Sequence, residues 1–440
     1  MRIVRVSGSK PRRGSTVHAC RVHRVTNAAR APALAPFRQR SFRFQWPADL
    51  ATSWAFEMET LILSWFVLAA TGSVVWLTAF GALQFVGTLI SPVYGVMGDR
   101  LGHRRLLITM RASYAVLAAL LAALALTGTL TMAAVFTVAF LSGLVRPSDY
   151  GMRNALIGAT MPAPWLMGAL GIERTSADAA RVVGALTGAA LVAWIGIGFA
   201  YVAVCGFYLI SVLLMLGVEE SRPNGGARSI GAVWDELGAG IAHVRATPPL
   251  LAAMWLAFLA NALAYPLTGG LLAYVARDIY GIGQTGLGSL VACFAAGALV
   301  GSIILSAQGG RMPPARTMLA GAFLWFALLL VFAVVRTAGS GMVLLAVAGF
   351  VQSFCMVPMA VVILRVAHER MRGRVMGLRM LAVYGLPLGL LASGPLIAWF
   401  GFAATALLYA GLAIASTGAI MLRWRASLLP LDAPANALQR

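Results

Sequence analysis

From about Leu50 to Leu422 the chain is a succession of apolar blocks, each about 20 residues long and parted by short turns. About 20 apolar residues wound as a helix cross the hydrocarbon core of a bilayer. Inside that core only helices and closed barrels satisfy their own backbone hydrogen bonds. The 440 residues are 60% hydrophobic and only 11% charged, with a mean hydropathy of +0.84. A soluble domain carries about 25% charged residues, so the pattern predicts an all-α membrane protein. Spans are expected near residues 50–70, 74–96, 106–127, 131–153, 175–195 and 199–218, then 249–275, 284–307, 315–335, 340–365, 376–398 and 402–422. A linker from Glu219 to Gly226 and an amphipathic stretch near Val233–Val244 part the two sets.

Charge placement orients the helices. The net charge is +20, and Lys10 is the only lysine. Turns near 72, 129, 197, 281, 338 and 400 are poor in arginine, with only Arg277 and Arg336 close by. The alternate turns hold Arg100, Arg104, Arg105 and Arg111, then at the last of them Arg365, Arg370, Arg372, Arg374 and Arg379. Arginine collects on the cytoplasmic side, which predicts twelve spans with both termini cytoplasmic. The expected site is the inner membrane of a bacterium, with the lipid bilayer as partner and a monomer as the unit.

The chain also repeats. The segment Gly184 to Gly196 lines up with Gly389 to Gly401 at an offset of 205 residues, and Gly206 and Ser211 continue onto Gly411 and Ser416. Two parallel six-helix halves are one transporter architecture. The expected domains are therefore 49–218 and 249–424, with a linker at 219–248 and a tail from 425 to 440. Residues 1–48 hold eleven Lys/Arg and no acid. They read as a disordered basic tail, binding anionic lipid or arising from a start codon set too far upstream; the composition is also that of a transit peptide. The tail has no aromatic or helical pattern, so nucleic acid is not expected as a partner.

Within this frame the stretch Gly95-Val-Met-Gly-Asp99-Arg100-Leu-Gly102-His-Arg104-Arg105 must lie at a membrane surface. It places one anion among cations, and its glycines allow tight turns. The reading is a latch between helices on the cytoplasmic face; the plain alternative is that the arginines only enforce topology. Its faded counterpart, Gly309-Gly310-Arg311, lacks the carboxylate, so the stronger latch is expected in the first half.

Three stretches resemble the major facilitator superfamily over about residues 48–425: the one just described, Asn154 with Ala180-Arg181 and Gly184, and Arg372 to Leu378 with Pro387 and Gly389. The last two are similar to the branch that includes the enterobactin exporter and other secretion effectors. The resemblance implies a fold of two six-helix bundles working by alternating access. It also implies that Asp99 meets the positive N-terminal end of helix eleven and a nearby arginine, with Arg372, Arg374 and Arg379 as partners. Two features depart from the drug/proton antiporters of that superfamily: Ala139 stands where their helix four has an arginine, and Gly184 is followed by Ala185 rather than proline.

In the first span Ser53, Glu57, Thr60, Ser64 and Thr71 form one polar stripe. Charge inside a membrane is costly, so the stripe should face a wet cavity or another helix. Glu57 lies on it; Glu59 is about 200° away and needs a different neighbour. Glu57, Glu59, Arg181 and Asn261 are the candidates for proton coupling or substrate binding. Arg181 and Asp178 are the partners expected for the acids of helix one, against snorkelling of Arg181 to headgroups. Arg146 with Asp149 is read as a pair within one helix. Tyr265 with Pro266, and Gln352, Ser353 and Met356, mark polar points in helices seven and ten. Trp54, Trp65, Trp76, Trp255 and Trp325 include interfacial anchors.

No nucleotide-binding loop, catalytic constellation or zinc spacing is present in the sequence, so neither an enzyme nor a cofactor is expected. The function expected is secondary active export of a small amphipathic molecule, such as a drug, siderophore or metabolite, with protons as coupling ion. Uptake, lipid flipping, and a non-transporting scaffold or sensor are the alternatives.

Overall fold

The computed structural model describes residues 34–219, 230–308, 312–367 and 381–432, together with Val375, Leu378 and Arg379. Regular structure among them is helical throughout. The helices are α1 (Arg40–Thr71), α2 (Val74–Leu83), α3 (Ser91–Leu101), α4 (His103–Leu126), α5 (Met132–Thr160), α6 (Ala163–Met215) and α7 (Ile230–Ala246). They continue with α8 (Pro248–Leu259), α9 (Gln284–Gln308), α10 (Pro314–Val334), α11 (Ala338–Val366) and α12 (Gly385–Leu428). Among the described residues eight helices are long and apolar enough to cross a membrane, or nine if α2 and α3, bent by 51°, count as one.

Two of these, α6 and α12, are far longer than a bilayer requires, at 53 and 44 residues. Each turns at a single glycine: Gly196 with φ 79° and ψ 169°, and Gly401 with φ 81° and ψ 166°. Only glycine adopts that backbone region without strain. These two residues close the two copies of the sequence repeat, so the repeat is a repeated hairpin in which one residue reverses the chain.

Two large apolar cores follow the same division. One draws its residues from between Ala48 and Val218. The other is built mainly from Val244 to Leu428 and reaches across to Leu61, Leu68, Val74, Leu77, Ala185 and Ala189. Contacts across the division run from the arginine-poor end inward, as far as Tyr384, which donates to the Val86 carbonyl at 3.4 Å. Arg277 donates to the carbonyl of Leu68 at 2.5 Å. Gly288 lies against Ala185 and Ala189, and Gly394 against Val75 and Thr78.

Several expectations change. The first helix begins at Arg40 rather than near 50, and Phe42, Gln45 and Ala48, assigned above to a disordered tail, are buried in it. Residues 1–33 lie outside the described residues, as do Glu220 to Gly226, Gly309-Gly310-Arg311 and residues 433–440. Beyond α8 the chain continues helically to Ile279 but in π-helical turns at Ala260–Ala264, Pro266–Gly270 and Val275–Ile279. Pro266 carries no N–H, and the chain accommodates it with a wider turn in which Leu271 N–H reaches the Pro266 carbonyl at 2.9 Å. Trp325 is not an interfacial anchor. It is fully buried, stacked on Phe326 and edge-on to Tyr265. Trp54 spends its N–H on Thr187 at 2.7 Å, whereas Trp76 and Trp255 are half exposed.

Gly196→Ala and Gly401→Ala should each cost about 1–3 kcal/mol of stability through backbone strain alone, because an added Cβ at either position meets no neighbour. Gly206→Ala and Gly411→Ala, in ordinary helix with equally open surroundings, should be neutral or mildly stabilising. Thermal unfolding of the four variants checks this.

Candidate functional site

Charge among the helices of the first half is organised by α1. This helix packs against α6 through small residues: Ala180 is buried there, and a Cβ on Gly184 would come within 2.8 Å of Glu57 Cβ. Small residues let helix backbones approach closely. The approach brings Arg181 Nε to 3.3 Å from Glu57 Oε1. Both side chains stay open, 35% and 29% exposed, while other carboxylates of the polar interior are buried. From the other half, Tyr265 comes within electrostatic range of Arg181. Glu57 and Arg181 thus sit where the two halves face each other.

Glu59, on the other side of α1, finds a different partner. Arg146 of α5 donates to Glu59 Oε2 at 2.6 Å and to Gln84 Oε1 at 2.7 Å. Tyr208 of α6 donates to the same Glu59 oxygen at 2.7 Å. The crossing that allows this is tight: a Cβ on Gly143 would run into the backbone of Leu83 and Gln84. The Phe56 ring covers the Arg146 guanidinium at 4.4 Å. The pair is close and almost dry, with Arg146 and Glu59 14% and 6% exposed.

A third cluster lies nearer the arginine-rich end. Arg111 of α4 donates to Asp49, and Arg153 donates to Asp149 one turn before it in α5. Arg111 also approaches Asp149 at 3.9 Å, and Arg153 approaches Asp49 at 3.8 Å and Glu173 at 3.6 Å. Arg153 further donates to Ser53 Oγ at 2.7 Å and to the Asp49 carbonyl at 3.1 Å. All five charged groups are shut off from solvent.

The model of a family described as transmembrane secretion effectors matches residues 31–437. The chain belongs to that family, within the major facilitator superfamily. No curated protein sequence matches it. Solved structures similar to the transporter include the POT family transporter PepTSo, 13% identical with a TM-score of 0.69 over 88% of this chain and 98% of that one. A bacterial homologue of the human lysosomal transporter Spinster, inward-facing and occupied, is 13% identical at 0.66 over 89% and 98%. The D-xylose–proton symporter is 12% identical at 0.66 over 89% and 98%. At such identities the likeness is one of fold. Membership of the secretion-effector family makes the chain a transport protein rather than an enzyme.

The structure separates the sequence-predicted residues into those it joins and those it parts. Glu57 meets Arg181 as expected, but Asp178 turns to Arg174 at 3.2 Å. The expected pair of Arg146 with Asp149 does not form. Each finds a stronger partner, Glu59 on another helix and Arg153 one turn on. Asn261 turns back to its own helix, donating to the Ala257 carbonyl at 2.8 Å, and Gln352 donates to Tyr265 Oη at 2.5 Å. Asp49, Arg111, Arg153 and Glu173 were not singled out from the sequence as a site.

In the stretch proposed as a latch, Gly102 has φ 89° and forms the one-residue break between α3 and α4. Arg104 donates to the carbonyls of Met215 and Leu216 at 3.3 and 2.9 Å, covering the negative end of α6. Asp99 approaches His103 at 3.9 Å. Gly95 has open space around it, and Arg100 and Arg105 are exposed. Arg372 and Arg374 lie outside the described residues, while Arg379 lies within electrostatic range of Tyr265 and Arg174.

Arg146→Gln should destabilise the transporter by about 3–5 kcal/mol, since it leaves Glu59 buried without its cation. Adding Glu59→Gln should recover most of that loss. A double variant no more stable than the single one in thermal unfolding would reject this pairing as the source.

Proposed function

We propose that the chain is a twelve-span secondary active transporter that exports a small amphipathic organic molecule by alternating access, driven by protons. The count counts α6 and α12 as two spans each, α2 with α3 as one, and includes α5. The halves are then residues 49–218 and 249–424, in a bacterial inner membrane with both termini cytoplasmic, working as a monomer.

The Glu57–Arg181 pair carries this reading. An ion pair in the inner third of two spans, left about a third exposed, has more access to water than the nearly buried Glu59–Arg146 pair. A carboxylate beside a cation stays ionised, and one that loses its cation in an apolar setting takes up a proton. Relative movement of α1 and α6, or a substrate anion drawn to Arg181, would therefore switch Glu57 between the two forms. Asn261, Tyr265 and Arg379 belong to the opposing wall. Contacts between the halves at the arginine-poor end, through Arg277, Gly288 and Gly394, support a site open toward the arginine-rich, cytoplasmic side. We assign Gly95, Asp99, Arg100, Gly102, Arg104 and Arg105, with Arg372, Arg374 and Arg379, to a latch that closes when the site faces outward. A helix N-terminus attracts an anion by about 0.3–1 kcal/mol when exposed, enough to bias two states and too little to lock either.

Likeness to a protein named as a proton symporter supports uptake as the second reading, so the assay must be directional. Everted vesicles bearing a proton gradient are offered a panel of siderophores, antibiotics and amphipathic dyes. A substrate should discharge the gradient, and Glu57→Gln should abolish that response while leaving folded protein. An unchanged response would remove Glu57 from coupling. Asp99→Asn should shift the inward/outward balance, read by the accessibility of cysteines placed on either side of the cavity; equal accessibility would reject the latch.

A further inference from the structure

Asp49, Asp149, Glu173, Arg111 and Arg153 bring three carboxyl groups to two guanidiniums, all buried. Elsewhere in the N-half interior each carboxylate has an arginine of its own: Glu57 has Arg181, Glu59 has Arg146, and Asp178 has Arg174. Inside the cluster Asp49 engages Arg111 and Asp149 engages Arg153. Glu173 is left to share Arg153 at 3.6 Å, and its other oxygen, Oε2, is buried without a hydrogen-bond partner; Asp149 Oδ1 also lacks one but has the Arg111 guanidinium at 3.9 Å.

An ionised carboxylate with an unsatisfied oxygen in a dry setting is costly. When carboxylates share a site, one of them keeps its proton. The three do not converge as ligands for a metal ion, and the two guanidiniums already occupy the space among them, so the neutralising cation is a proton. We infer that this cluster is a proton-binding site whose proton is held on Glu173 in the arrangement seen here. Glu173 faces Asp49 from α1, Arg111 from α4, and Asp149 and Arg153 from α5. On its own helix Arg174 is turned to Asp178. Taking up one proton forms the O–H bond and brings the cluster from one net negative charge to none. The site goes beyond the transport reading and stands without it, since the charge surplus exists whether or not Glu57 couples to a substrate. Glu173 precedes Arg181 by eight residues on α6, so a tilt of that helix that disturbs the Glu57 pair also moves Glu173 against Arg153.

Infrared difference spectroscopy of the full chain in lipid, titrated from mildly acid to alkaline pH, tests this without any substrate. The wild type should show a protonated-carboxyl stretch that shifts in heavy water and fades as pH rises. Glu173→Gln, which has the shape of the protonated acid, should lack that band, and Glu57→Gln should keep it. A band that persists in Glu173→Gln, or no such band in the wild type, overturns the assignment. A band lost in Glu57→Gln but kept in Glu173→Gln would overturn it and place the proton on the Glu57–Arg181 pair instead. If Glu173→Gln fails to fold, Asp49→Asn removes the same surplus charge and should also abolish the band; its persistence there counts against the site.

Discussion

A charge between apolar helices must find an opposite charge, and in this protein α1 is where that requirement is met. It carries Asp49, Glu57 and Glu59 within about three turns, and each points to a different neighbour. Asp49 meets α4, Glu57 meets α6, and Glu59 meets α5. Three pairings in three directions fix the rotation of α1 far more narrowly than apolar packing alone, which tolerates a range of rotations between greasy surfaces. They also divide the helix by exposure. The outer two clusters are buried, and the pair between them is about a third exposed.

The fold was legible because its signals are long and redundant. Apolar blocks and the repeat rest on tens of residues, and the glycines that end the two copies of the repeat are the residues at which the chain turns. Of the two partners expected for the acids of helix one, Arg181 meets Glu57, while Asp178 turns to Arg174. Elsewhere local rules misled. Arg146 and Asp149 are spaced as a pair on one helix, but such a pair is worth only a few tenths of a kcal/mol. A cation between helices instead goes to whichever buried anion would otherwise stand alone. Arg111 counted as a topology marker because position along the chain cannot show that a residue points inward. Trp325 was misplaced for the same reason, since the rule for interfacial tryptophan concerns depth and not facing.

The same logic explains why the arginine-rich surface differs from the interior. Asp99 lies among arginines yet approaches only His103 in the described structure, because water screens it and no single partner is compelled. Interior pairs are settled by desolvation; surface pairs are settled by which conformation brings them together. A residue of that kind reports on the state of the molecule and does little for its stability.

The hairpins at Gly196 and Gly401 have a mechanical consequence. A single residue joins the arms, so neither arm can slide along its axis without carrying the other. Each hairpin therefore moves as one body, joined at its glycine. In α6 the two arms carry Arg181 and Tyr208, the partners of Glu57 and Glu59. A displacement of one arm is thus carried to the other acid of α1.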